Sequence, residues 1–134
     1  MRSLPLPVVV LVVLGLISPA AAESKIDILE IFDQFMISNA VASRCEKPDE
    51  QKAAKFLANM NTVRIFATKK LMQMSKDATE KTIDKAAVER YRRIDKAISD
   101  VIAKEGCDAP QIKEARKRFD VQAEMNLFAN SKSN

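Results

Sequence analysis

From Glu23 onward, Pro and Gly interrupt the chain at only three places: Pro48, Gly106 and Pro110. These are the residues that most readily stop a helix or shape a turn. A chain with so few of them lacks material for the many tight turns of a β-sandwich. The stretches between them are long and rich in good helix formers, so the sequence predicts an all-α fold.

The first helix is expected over 25–45. Ser24 and Asp27 stand where a capping box would, with Asp in the usual Glu place. Ile28, Phe32, Phe35, Met36, Ala42 and Cys45 recur at helical spacing, and Ile31, Ile37 and Val41 widen the stripe. This helix is therefore expected to be the most buried. Glu46-Lys47-Pro48 ends it, because the residue before a proline avoids the α region. The second helix is expected over 49–74, with Pro48 in its first turn and Asp49 and Glu50 at the positive end of its dipole. Its stripe is Ala53, Leu57, Met60, Ile65 or its near neighbour Val63, Ala67, Leu71 and Met74, flanked by Phe56 and Phe66.

The third helix is expected over 78–105, with Asp77 and Glu80 in capping-box spacing. Ile83, Ala87, Tyr91, Ile94, Ile98 and Val101 step by fours and threes. Such a heptad rhythm suits helices crossing at about +20°. Gly106 then follows, where glycine takes a left-handed backbone at little cost. The fourth helix is expected over 109–129, with Asp108 as N-cap, Pro110 in the first turn and Gln111 completing the box. Ile112, Ala115, Phe119, Ala123 and Leu127 share one face, and Ser131 to Asn134 form a tail.

Helices of this length span about 30–40 Å each. Short links between them favour an up-down-up-down four-helix bundle; the structural rival is a three-helix arrangement with the middle helices fused. In the bundle the first helix ends where the fourth begins. Cys45 and Cys107, the two cysteines of the chain, then meet at one end, and an intrachain disulfide is expected.

Residues 1–22 read as an address rather than as structure. Arg2 supplies a positive start, Val8 to Ile17 an apolar run, Ser18-Pro19 a break and Ala20-Ala21-Ala22 the small residues of a cleavage site. The apolar run covers only about half of a ~30 Å hydrocarbon core. The expected exported product is one helical domain over 23–134, periplasmic or extracellular, with no transmembrane segment. An oxidising destination suits the disulfide.

The chain has no His. This excludes Ser-His-Asp triads, Cys–His pairs, His-bound zinc and His-ligated haem. Two Gly cannot build a dinucleotide fingerprint, and there is no Cys-x-x-Cys redox pair. The carboxylates are scattered, so no catalytic set, metal site or cofactor is expected. Met36, Met60, Met72, Met74 and Met125 read as core filling.

Basic residues cluster twice, at Arg90, Arg92 and Arg93 and at Arg116, Lys117 and Arg118. If the third and fourth helices pack as a hairpin, Arg90, Arg93, Arg116 and Arg118 form one ridge that could bind an anion. The competing reading is a solvated face, with Glu89–Arg93, Glu114–Arg118 and Arg116–Asp120 as i,i+4 pairs. A formal charge of +4, one Tyr and no Trp give little basis for nucleic-acid binding.

The expected function is therefore non-catalytic. It is a small exported helical protein that binds another protein or a cell-envelope component. A periplasmic chaperone or stress protein with an apolar groove is the first alternative, and anion binding at the Arg/Lys ridge the second. Phe66 and Met72 make a second copy of the chain a further candidate partner.

Overall fold

A computed structural model describes residues 27–127, which form four helices: α1 (Ile28–Cys45), α2 (Glu50–Met74), α3 (Glu80–Glu105) and α4 (Pro110–Glu124). The leader at 1–22, Ser24, Lys25 and the last expected turn at 128–129 lie outside the described residues. The helices alternate in direction, as an up-down-up-down bundle requires. Their arrangement is a rhombus rather than a square. α1 and α2 touch each other and both remaining helices, whereas α3 and α4 lie on opposite sides of that pair and scarcely meet.

The deepest packing lies where α1, α2 and α4 converge. Phe35, Phe56 and Phe119 are essentially solvent-free. The Phe56 ring sits 5.3 Å from Phe35 and 4.3 Å from Phe119, centroid to centroid. Ala42, Val63 and Ala123 complete this cluster. A second cluster, Val41, Ala109, Ile112 and Ala115, lies towards the opposite end and takes in Ile98, Val101 and Ile102 of α3. Beside it, Cys45 and Cys107 form the expected disulfide, with Cα atoms 5.6 Å apart.

The apolar stripe of α2 is rotated from its expected position. Phe56 and Val63 are buried, whereas Leu57, Ile65, Phe66 and Met74 are exposed. α2 must face three neighbours, so its buried arc centres on Phe56, Asn59, Val63 and Ala67. α1 was expected to be the most buried helix; it has six buried residues among 18, and α4 has five among 15, the same share. The reason is the seat of α4, in the trough between α1 and α2. In α3 only Ile83 is buried, and the rest of its heptad stripe is half-covered.

Helix ends correct several expected caps. Asp27 and Asp49 are themselves N-caps, accepting from the Leu29 and Lys52 amides, and Pro48 stands outside α2. The capping box of α3 is Thr79 with Thr82, not Asp77 with Glu80. Threonine supplies both the acceptor and the returning hydroxyl. α4 begins at Pro110 behind Ala109, which has no side-chain cap; Asp108 is turned towards Arg116 instead. Gly106 has φ +79° and ψ 179°, a conformation open essentially to glycine alone. α4 ends at Glu124, where the buried Asn59 amide donates to the Gln122 and Met125 carbonyls at 2.8 and 2.9 Å. That contact fastens the last turn of α4 to the middle of α2.

Two outcomes follow from this packing. The disulfide closes a loop with a sequence separation of 62, for which chain entropy assigns about 4 kcal/mol. A Cys45→Ser, Cys107→Ser double variant should lose that much in urea denaturation, and equal stability would show that the bridge contributes nothing. Asn59→Ala should cost about 2 kcal/mol, because a buried and a part-buried carbonyl lose their donor. Hydrogen exchange should then quicken in the last turn of α4 before anywhere else in that helix; uniform exchange along α4 would contradict the capping role.

Candidate functional site

α3 carries small residues on the surface it turns towards α1 and α2. Ala86 and Ala87, with Ala78 in the turn before the helix, stand beside Thr82 and Ile83, and none is large enough to fill the space between the helices. The result is a half-open cavity of about 720 Å³. α1 contributes Leu29, Phe32 and Met36; α2 contributes Ala67, Thr68, Leu71 and Met74. Met36, Ala67 and Ile83 form a buried apolar floor. The cavity lies at the end of the bundle where α1 begins and α2 ends, away from the disulfide.

Three arginines and one carboxylate line this cavity: Arg64, Arg90, Arg93 and Asp33. Arg90 grips Asp33 through two guanidinium nitrogens. Arg64 donates to Asp84 at 3.2 Å and to Asn61 at 3.0 Å. Arg93 has no carboxylate within ion-pair distance among the described residues, and its expected pair with Glu89 does not form.

The four arginines expected to share a ridge do not share a surface. Arg90 and Arg93 lie on α3 beside the cavity, whereas Arg116 and Arg118 lie on α4, on the far side of the α1–α2 pair. The expectation treated α3 and α4 as neighbours, and the rhombus separates them. Arg116 bonds Glu46 at 3.0 Å and approaches Asp108, rather than Asp120 one turn on. Arg118 makes the expected i,i+4 pair with Glu114 at 3.2 Å. Asp120 is taken by Lys52 of α2.

Above the cavity, polar contacts fasten α3 to α1. Asn39 donates to the Tyr91 hydroxyl at 3.0 Å, and Arg44 forms a fork with Asp95. With Arg90–Asp33 these make a ladder of three polar links along the two helices. The hydrogen bond from Arg44 holds the Asp95 carboxyl below its usual range. Burial pushes the Tyr91 phenol up, and the Asp95 charge adds to this; the Asn39 bond and the Arg44 charge oppose it.

On the outer face of α2, Phe66 is 55% exposed and Met72 40% exposed, with the Lys69 ammonium 5.9 Å from the Phe66 ring centre. No group of three or more metal-ligating side chains occurs among the described residues. No described helix is long and apolar enough to cross a membrane. No protein-family model, curated protein or solved structure matches the chain.

The cavity was not foreseen in the sequence. Its signal is the adjacent small residues Ala86 and Ala87 beside Ile83 in α3, with Ala78 just before the helix.

Tyr91 is the only tyrosine, and there is no tryptophan, so the absorbance of the phenolate band reports its ionisation alone. Its midpoint in the folded protein should lie above the ordinary value of about 10. A raised phenol favours the folded state below that value, and the contribution is lost as pH rises through the folded midpoint. Asn39→Ala should raise the midpoint further, because the phenolate loses a donor. Coincident midpoints for the folded and urea-unfolded chain would contradict the packing of Tyr91 against α1.

Proposed function

We propose that this is an exported, non-catalytic binding protein, and that the cavity between α1, α2 and α3 takes up an apolar molecule of the cell envelope. The observation that carries this is the cavity itself. Its volume of about 720 Å³ falls within the 300–1,000 Å³ range usual for small-molecule sites. Its floor of Met36, Ala67 and Ile83 offers water no hydrogen bonds. Apolar side chains around such a space gain dispersion contacts when a ligand fills it. Export is supported by the secretory-type residues 1–22, and the disulfide fits an oxidising compartment. A non-catalytic role is supported by the lack of His, since acid–base work would then fall to carboxylates or lysines with strongly shifted pKa values.

A neutral fluorescent probe, N-phenyl-1-naphthylamine, tests the cavity. It should bind the disulfide-intact protein with a blue shift and saturate at one site. Ala87→Phe, which places a ring in the space, should weaken that binding by about tenfold while the melting temperature holds or rises. Thr68→Trp blocks the same space from α2 and should act alike. Absence of probe binding, or binding unchanged in both variants, would remove the cavity as a site.

A further inference from the structure

The cavity is apolar within and cationic at its edge, and the charge is not balanced. Of the three arginines lining it, Arg90 is neutralised by Asp33 and Arg64 by Asp84. Arg93 is exposed and lacks an acidic partner among the described residues. We propose that the ligand is a free single-chain carboxylate amphiphile: its hydrocarbon tail lies along Phe32, Met36, Ala67 and Ile83, and its carboxylate is held by Arg93. This rests on the cavity being a binding site and adds the class of molecule that fills it.

Three features select this class. The floor is built from apolar side chains with alanines between them, so the space suits a flexible chain better than a rigid polar group. Of the three guanidiniums lining the cavity, that of Arg93 has no carboxylate partner among the described residues, and a guanidinium fork matches one planar carboxylate in two hydrogen bonds. A dianionic phosphate head would need a second free cation, and Arg64 and Arg90 already hold carboxylates. The volume suits one small molecule and is too small for an amphipathic helix laid along the whole length of α3.

Calorimetry with dodecanoate below its micellar concentration tests the assignment, with dodecanol and dodecyltrimethylammonium as neutral and cationic probes of equal chain length. Dodecanoate should bind one to one, about tenfold more tightly than dodecanol, and the cationic probe should bind worst. Each methylene added between octanoate and dodecanoate should tighten binding about three- to fourfold until the cavity is full. Arg93→Gln should abolish the preference for dodecanoate and leave dodecanol and the naphthylamine probe unaffected, which also shows that the variant is folded. Arg92→Gln, one residue away and outside the cavity lining, should keep the preference.

Equal affinity for dodecanoate and dodecanol, or a preference that survives Arg93→Gln, overturns the carboxylate assignment. The cavity as a site still stands in that case if the naphthylamine binds and Ala87→Phe blocks it. Failure of both naphthylamine and dodecanoate overturns the two together. Binding to anionic phosphatidylglycerol vesicles without one-to-one uptake of dodecanoate also overturns the proposal, in favour of a membrane-surface contact.

Discussion

Phe35, Phe56 and Phe119 belong to three different helices, and their rings meet where α1, α2 and α4 converge. Truncating a buried phenylalanine typically costs about 3–5 kcal/mol, a large share of the stability of a domain this size. These contacts fix more than energy. They bring α4 into the trough between α1 and α2, and so exclude α3 from that side. The rhombus follows from this choice, and so does the separation of α3 from α4.

α3 is attached on different terms. It buries one side chain, Ile83, and joins the second core cluster near its C-terminal end through Ile98, Val101 and Ile102. Between these it depends on Arg90–Asp33, Asn39–Tyr91 and Arg44–Asp95. Partly exposed ion pairs contribute about 0–1 kcal/mol each and are weakened by salt. A helix held by such links need not fill every space beneath it. The alanines at 78, 86 and 87 leave the cavity open without breaking the main cluster, which centres on the phenylalanines of α1, α2 and α4.

The fold was largely legible because its determinants are local. Pro48, Gly106 and Pro110 bound the helices, and two cysteines at opposite sequence positions meet only if the helices alternate. Which face of α2 turns inward was not legible in the same way. Leu57, Ile65 and Phe66 are as apolar as Phe56 and Val63, and only the presence of three neighbours settles the rotation. The capping error at α3 was also a close competition, since Asp77 and Thr79 are both good caps and Thr82 decides for Thr79. The basic ridge dissolved for a larger reason. Its residues were correctly placed on α3 and α4, but the partners of Arg90 and Arg116 are Asp33 and Glu46, more than fifty residues away in sequence. Helical spacing reveals i,i+4 neighbours such as Glu114–Arg118 and is silent about the rest.

The covalent constraint lies at one end of the molecule, and the cavity lies at the other. The Cys45–Cys107 bridge ties the end of α1 to the turn that links α3 and α4, beside the Val41–Ile112 cluster. The cavity is walled by the first turns of α1, the last turns of α2 and the N-terminal half of α3, with no covalent cross-link among them. Local stability tracks buried apolar contacts, so it should be least where α3 contributes only Ile83. Such a division suits a binding protein outside the cell. The bridge can protect the domain as a whole, while the end proposed to admit a ligand is held by contacts weak enough to yield. The proposed amphiphile would replace missing dispersion contacts under α3 and supply a carboxylate to Arg93, which has none among the described residues, adding most stability where the protein alone has least.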